Sequence, residues 1–265
     1  MKKQYVGGGL LLIGALSGGA AQAVPLLDTY IGSRDYGYGD VIGRKDLFDT
    51  TSADVRRGNG KLDVDIFTNF VGNVGVYPSS TLNGQGIGYG DLLLGGKWNP
   101  FVKAGDTSAD NLIGHKFDDA SNGTTWRYGL SFDDRWSTAN SGTFTLYELT
   151  GTNQQDLLLT DSFFASNITV RRGQAVAVNR NATNFVHVLD TGTWTIDPAL
   201  KKLSFDLSLA NAGELGTWEY LSLHWGMLCN NDAIEGGVSV PEPGTLALFG
   251  LGLCGLLVRR ATRLK

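Results

Sequence analysis

The sequence predicts an antiparallel β-sandwich or jelly roll, flanked by an N-terminal signal helix and a C-terminal hydrophobic sorting helix. Three observations lead there. Short segments that alternate apolar and polar residues recur at hairpin spacing through the middle of the chain. Thirty-seven glycines punctuate the 265 residues, many of them in Asn-Gly, Ser-Gly or Thr-Gly pairs that suit turns. Long apolar runs of the kind a helix needs are confined to the two ends.

The N-terminal end comes first. Lys2 and Lys3 make a positive region, residues 6–20 are apolar and glycine-rich, and Ala21-Gln22-Ala23 is the small-x-small pattern cut by signal peptidase. Residues 1–23 are therefore expected to be a secretory signal peptide, and the mature chain to begin at Val24. A single β-sandwich domain is expected over 24–236, which is long enough to bury a core.

Inside that domain the strands follow in order. Residues 24–49 alternate tyrosine and glycine around Tyr36, Tyr38 and Asp40, which suits a loop-rich edge of a sheet. After the turn Gly58-Asn59-Gly60, the inward series Leu62, Val64 and Ile66 alternates with Asp63 and Asp65 on the outer face. The tetrapeptide Gly-Tyr-Gly-Asp occurs at 37–40 and again at 88–91, each time ahead of an apolar segment, and places an aspartate at a strand start. Further strands are expected at 126–132, 143–149, 156–164, 168–172, 175–178, 185–189, 193–196, 203–209 and 217–225. Turns are expected at Asn122-Gly123, Ser141-Gly142, Arg172-Gly173, Thr191-Gly192, Asp197-Pro198 and Asn211-Ala212-Gly213. Only 47–57 and 199–201 leave room for a helical turn.

The C-terminal end has three parts in a set order. Pro241-Glu242-Pro243 gives a stiff, exposed segment. Residues 244–258 carry no charge and, as a helix, span about 22 Å, less than the roughly 30 Å hydrocarbon core. Arg259, Arg260, Arg263 and Lys265 form a basic end that holds it on the cytoplasmic side. Proline turn, short apolar helix and basic end together resemble the PEP-CTERM sorting signal of bacterial exported proteins. The resemblance covers 237–265 and implies recognition and removal by a membrane protease of the exosortase class. Pro241, Glu242, Pro243, Arg259 and Arg260 are its signal residues, and Ala21 and Ala23 are those of signal peptidase. The plainer readings are a lasting membrane anchor or a buried core helix; Gly250, Gly252 and Gly255 argue against the second. A linker is expected at 236–240, with the last strand just before it.

Charge and cysteine content narrow the setting. Of the 22 basic residues six lie in the two end segments, leaving 16 against about 25 acidic ones in the exported body. Nucleic acid and anionic lipid are thereby disfavoured as its partners, while divalent cations and neutral polysaccharide are compatible. Cys254 lies in the sorting helix, so Cys229 is the lone cysteine of the mature chain and, beside Trp225, Met227 and Leu228, is expected to be buried.

Catalytic patterns are scarce. The chain has no Gly-x-Ser-x-Gly elbow, no His-Glu-x-x-His and no Walker loop, and its five glutamates (Glu148, Glu214, Glu219, Glu235, Glu242) form no Glu-x-Asp-x-Glu series. His187 and His224 are expected as hydrogen-bonded core or interface residues, and His115 stands apart; a metal set of His224, Cys229 and Asp232 is the lesser reading. No cofactor is expected apart from a structural calcium on the aspartate-rich loops carrying Asp106, Asp110, Asp118, Asp119, Asp133 and Asp134, to which no ligands are assigned. Trp98, Trp126, Trp136, Trp194, Trp218 and Trp225, with Tyr36, Tyr38, Tyr89 and Tyr128, could stack on sugars, though at least half are expected inside.

The resulting expectation is a non-enzymatic surface or extracellular-matrix protein, anchored transiently in the inner membrane and then released. Its expected partners are signal peptidase, an exosortase and polysaccharide; the association with exopolysaccharide is what the resemblance implies. The alternatives are a carbohydrate-binding module, which needs a coplanar exposed aromatic face, and a sandwich-fold glycoside hydrolase, which needs two carboxyl groups about 5–10 Å apart.

Overall fold

The backbone N–H and C=O groups of each short strand point sideways and need a neighbour on both edges, and the chain meets that need with one large sheet. The computed structural model describes residues 23–29, 40–81, 83–99, 124–152, 154–160, 164 and 174–240. Among them are the strands β1 (Val24–Leu27), β2 (Thr50–Gly58), β3 (Lys61–Thr68), β4 (Leu92–Gly95), β5 (Tyr128–Phe132), β6 (Ser141–Leu149), β7 (Leu158–Thr160), β8 (Ala175–Val178), β9 (Val186–Asp197), β10 (Lys202–Ser208), β11 (Tyr220–Gly226) and β12 (Ala233–Ser239). Ten of them form one antiparallel sheet in the order β1-β2-β3-β10-β9-β6-β5-β4-β11-β12, and β7 pairs with β8. The large sheet curls until its end strands β1 and β12 pack together, so it is nearly closed.

The β2–β3 hairpin turns on Asn59 and Gly60, both at positive φ (53° and 73°), the conformation of a two-residue turn that matches strand twist. Leu62, Val64 and Ile66 then point inward as expected, facing Leu207, Phe205 and Leu203 of β10 in register. Phe132 sits at the centre of the core, with ring centroids 5.4 Å from Tyr89, 5.5 Å from Trp194 and 5.4 Å from Phe205. Stacked and edge-to-face aromatic pairs of this kind add about 0.5–1.5 kcal/mol each beyond their buried area. A second, smaller core of Leu93, Trp126, Leu149, Leu157, Leu158 and Val178 lies where β7 and β8 cover the outside of the sheet.

Five expectations change. Helix in 47–57 is limited to α1 (Lys45–Phe48), because from Thr50 onward the chain alternates, with Ala53 and Val55 inward, and pairs with both β1 and β3. Residues 156–164 do not form one strand: α2 (Gln154–Leu157) precedes the three-residue β7. Residues 185–189 and 193–196 belong to one strand, β9, and Thr191-Gly192 is no turn. Ser141-Gly142 likewise lies inside β6. Each of these glycines sits directly opposite an aromatic residue, Gly192 facing Phe144 and Gly142 facing Trp194. A Cβ on Gly192 would come 2.2 Å from Phe144 Cζ and 2.7 Å from the carbonyl oxygen of Asp206, so glycine makes room for the ring rather than for a turn. The fifth change concerns 236–240, where residues up to Ser239 are strand β12 and not linker.

The expected strand at 168–172, the turns at 122–123 and 172–173, and both terminal helices lie outside the described residues. Gly192→Val is expected to lower stability by about 1–3 kcal/mol through overpacking, read as a reduced urea midpoint with an unchanged slope.

Candidate functional site

The processing signal leaves the body from the β11–β12 hairpin, so that hairpin's fastening to the rest of the fold is the geometry that bears on function. Tyr220 pairs with Ser239 at its open end and Gly226 with Ala233 at its turn. Beyond β12 the backbone stays bound for one more residue: Val240 is 2% exposed and donates its N–H to the Glu219 carbonyl at 2.8 Å. Pro241 follows at once. Among the signal residues Pro241, Glu242, Pro243, Arg259, Arg260 and Ala21 lie outside the described residues, while Ala23 directly precedes β1. A cut after Ala23 therefore makes Val24, the first residue of β1, the new N-terminus.

Two buried charged groups hold this part of the sheet. His224 and Glu235 are directly opposite on β11 and β12, with Nδ1 2.8 Å from Glu235 Oε2. The other ring nitrogen, Nε2, donates to the Ala175 carbonyl on β8 at 2.8 Å. Trp98 donates its indole N–H to the second oxygen of Glu235 at 3.0 Å, and the Trp126 ring packs on the imidazole. His224 is thus the core histidine expected, and its partner is Glu235, not Cys229 or Asp232. The partner is eleven residues away, a spacing that follows from the hairpin register about the turn near Asn230, which holds positive φ. Cys229 is fully buried, as expected.

Asp91 is the second group. It stands just ahead of β4, as the second Gly-Tyr-Gly-Asp copy led one to expect, and is fully buried; Asp40 of the first copy opens no strand, being followed by bends and α1. Its carboxylate accepts from the Ser131 hydroxyl at 2.7 Å and from the backbone N–H groups of Phe132 (3.1 Å) and Val178 (2.8 Å), and Arg135 pairs with it at 3.2 Å. One side chain thereby joins β4, β5 and β8. A buried carboxylate is tolerable only when its lone pairs are filled in this way.

The two outer-face aspartates of β3 are not a solvated pair: Asp65 is buried beneath its partners and Asp63 is half-buried, and they behave asymmetrically. Burial pushes the Asp65 carboxyl up, but the Ser204 hydroxyl, Arg56 and Lys202 outweigh it and hold it below the ordinary 3.8. Asp63 moves the opposite way: burial, and then the facing Asp206, push it up.

Carboxylate oxygens of Asp28, Asp40 and Asp232 come within 4.8 Å of one another at the seam between β1 and β12, the donor chemistry a hard cation uses. Asp232 is also engaged otherwise, accepting from the backbone N–H of Thr50 at 2.6 Å and of Ala233 at 3.0 Å. The expected calcium loops fall mostly outside the described residues; of their aspartates, Asp133 accepts from Thr143 and Thr145 and Asp134 caps the Trp136 N–H.

Among the described residues, the aromatic side chains singled out in the sequence are mostly inside. Trp126, Trp194, Trp225, Tyr89 and Tyr128 are buried, and Trp98, Trp136 and Trp218 are half-buried; Tyr36 and Tyr38 lie outside the described residues. His187 is exposed, with Nε2 3.3 Å from the Thr150 hydroxyl, and His115 lies outside the described residues.

Two outcomes follow from this geometry. His224→Ala strands the Glu235 carboxylate in the core and is expected to cost about 3–5 kcal/mol, whereas the double change His224→Leu with Glu235→Leu costs less, a difference read by denaturant titration of both variants. For the outer pair, a depressed carboxyl adds stability that is present above its unfolded value near 3.9 and is lost as the pH falls through the folded value. Asp65→Asn is therefore expected to lower the urea midpoint at pH 7 and to flatten its decline below pH about 4. Asp63→Asn is expected to raise the midpoint at pH 7.

Residues 239–261 match the family described as the PEP-CTERM protein-sorting motif. No curated protein sequence and no solved structure matches the chain. Among the described residues no helix is long and apolar enough to cross a membrane; the apolar run 244–258 lies beyond them. The match begins at Ser239, so the motif's first two residues already belong to the bonded end of the sheet. The chain is an exported, cell-envelope-associated protein carrying a PEP-CTERM sorting motif, and an exosortase is the enzyme that processes it.

Proposed function

We propose that the body is a non-catalytic structural component of the cell surface or extracellular matrix, held transiently in the inner membrane by its tail, released by exosortase and then associated with exopolysaccharide. The observation that carries this reading is the direct passage from β12 into the sorting motif. With Val240 still bonded to Glu219, the folded body and no intervening arm is what the cut delivers. Its acidic balance keeps such a body soluble among neutral polymers. The buried polar side chains described above also favour a structural role, since Asp91 and the His224–Glu235 pair spend their hydrogen bonds on joining strands.

Replacing Pro241, Glu242 and Pro243 by alanine in the native host is expected to leave an uncut, larger, membrane-retained form. Processing that continues unchanged overturns the sorting step. The matrix assignment is tested on the same cells: the wild-type body is expected to co-purify with extracellular polysaccharide and leave its chain length unaltered, and shortening of the polymer by purified protein overturns the non-catalytic reading.

A further inference from the structure

The seam of the sheet fixes which end of the body faces the membrane. At one end the carboxylates of Asp28, just after β1, and Asp232, just before β12, meet within 4.8 Å. Further along, the Leu26 side chain lies against Gly236, where a Cβ would come 2.6 Å from it. Moving back along β1 thus means moving forward along β12, and the two strands are antiparallel. The chain before Val24 and the chain after Val240 consequently leave toward the same pole, away from the aspartates.

The reach of the tail then sets a distance. Val240 is bonded to Glu219, and four peptide steps separate it from Gly244, where the apolar run begins, so the gap is at most about 14 Å. The headgroup layer on each side of a bilayer is about 5–8 Å deep. A body tethered this closely is kept with its pole within about 10 Å of the headgroup surface.

That pole is suited to such contact. Trp218 is half-buried, Glu219 and Lys97 are exposed, and Tyr220 is partly exposed. Gly95 pairs with Ser222, which carries the chain after β4 to the same end, where Gly96 packs on the Trp218 ring. Lys97, Arg127, Glu214 and Trp218 line a cleft of about 350 Å³ there. Tryptophan and tyrosine favour the water–lipid boundary, and a zwitterionic headgroup finds both signs of charge in the cleft.

We propose that the pole carrying Trp218, Glu219 and Lys97 is seated on phospholipid headgroups while the tail is intact, with the Lys97–Arg127–Trp218 cleft receiving a headgroup, and that removal of the tail frees it. This rests on the reading that residues 244–258 are membrane-embedded before the cut. The test uses full-length precursor in host cells lacking the exosortase, with the photo-crosslinking residue benzoylphenylalanine placed at Glu219, at Lys97, or at Leu200, which is 60% exposed and lies at the opposite pole. Phospholipid adducts are expected at 219 and 97 and not at 200. A flexible spacer of about twenty residues between Val240 and Pro241 is expected to abolish the adducts at both while the precursor stays in the membrane fraction. Membrane-bound precursor with no lipid adduct at 219 or 97, or with equal adducts at 200, overturns the orientation and leaves the sorting reading intact. Precursor found outside the membrane fraction overturns the anchoring and the orientation together.

Discussion

An open β-sheet carries two unpaired edges, and everything about this body follows from how those edges are brought together. Each edge strand presents free backbone donors and acceptors that invite pairing with another chain. Curling the ten-stranded sheet until β1 packs on β12 brings the two edges into contact and shields them, with no ladder of hydrogen bonds between them among the described residues. The cost is that β1 and β12 are the two strands nearest the processed ends of the chain. Fold closure and processing therefore share the same few residues.

Closure needs the strands near the seam to be held firmly, and buried polar groups under β8, on the outer face of the sheet, do that. His224 and Glu235 link β11 to β12, and the other imidazole nitrogen reaches β8. Asp91 performs the same service for β4, β5 and β8. Each is a buried polar group whose bonds reach more than one neighbouring strand, which makes it costly to leave unpaired and specific about which strands meet. The hydrophobic core around Phe132 supplies the driving force; these groups select one strand arrangement from the many that would bury the same rings.

Much of the strand set was legible because alternation is a local property. The inward series of β3 and β10, the Asn59-Gly60 turn, the strand at 175–178 and the aspartate ahead of β4 all read directly from neighbouring residues. Glycine misled where its neighbour in space mattered more than its neighbour in sequence. Gly142 and Gly192 have the composition of turns, yet each is a recess for a ring on the next strand. The 47–57 segment misled for a related reason: its pattern is ambiguous until the pairing with β1 and β3 selects the extended form.

By itself, the sequence determined where the chain is sent. Proline pair, uncharged run and basic cluster act through their order along the chain and their chemistry toward a membrane, which need no fold to be read. Only the tertiary structure decided that Glu235 partners His224, that Trp126, Trp194 and Trp225 are core residues, and that residues 236–239 are sheet. Those outcomes depend on contacts between strands remote in sequence, and a linear pattern carries no record of which strands the curl of the sheet brings side by side.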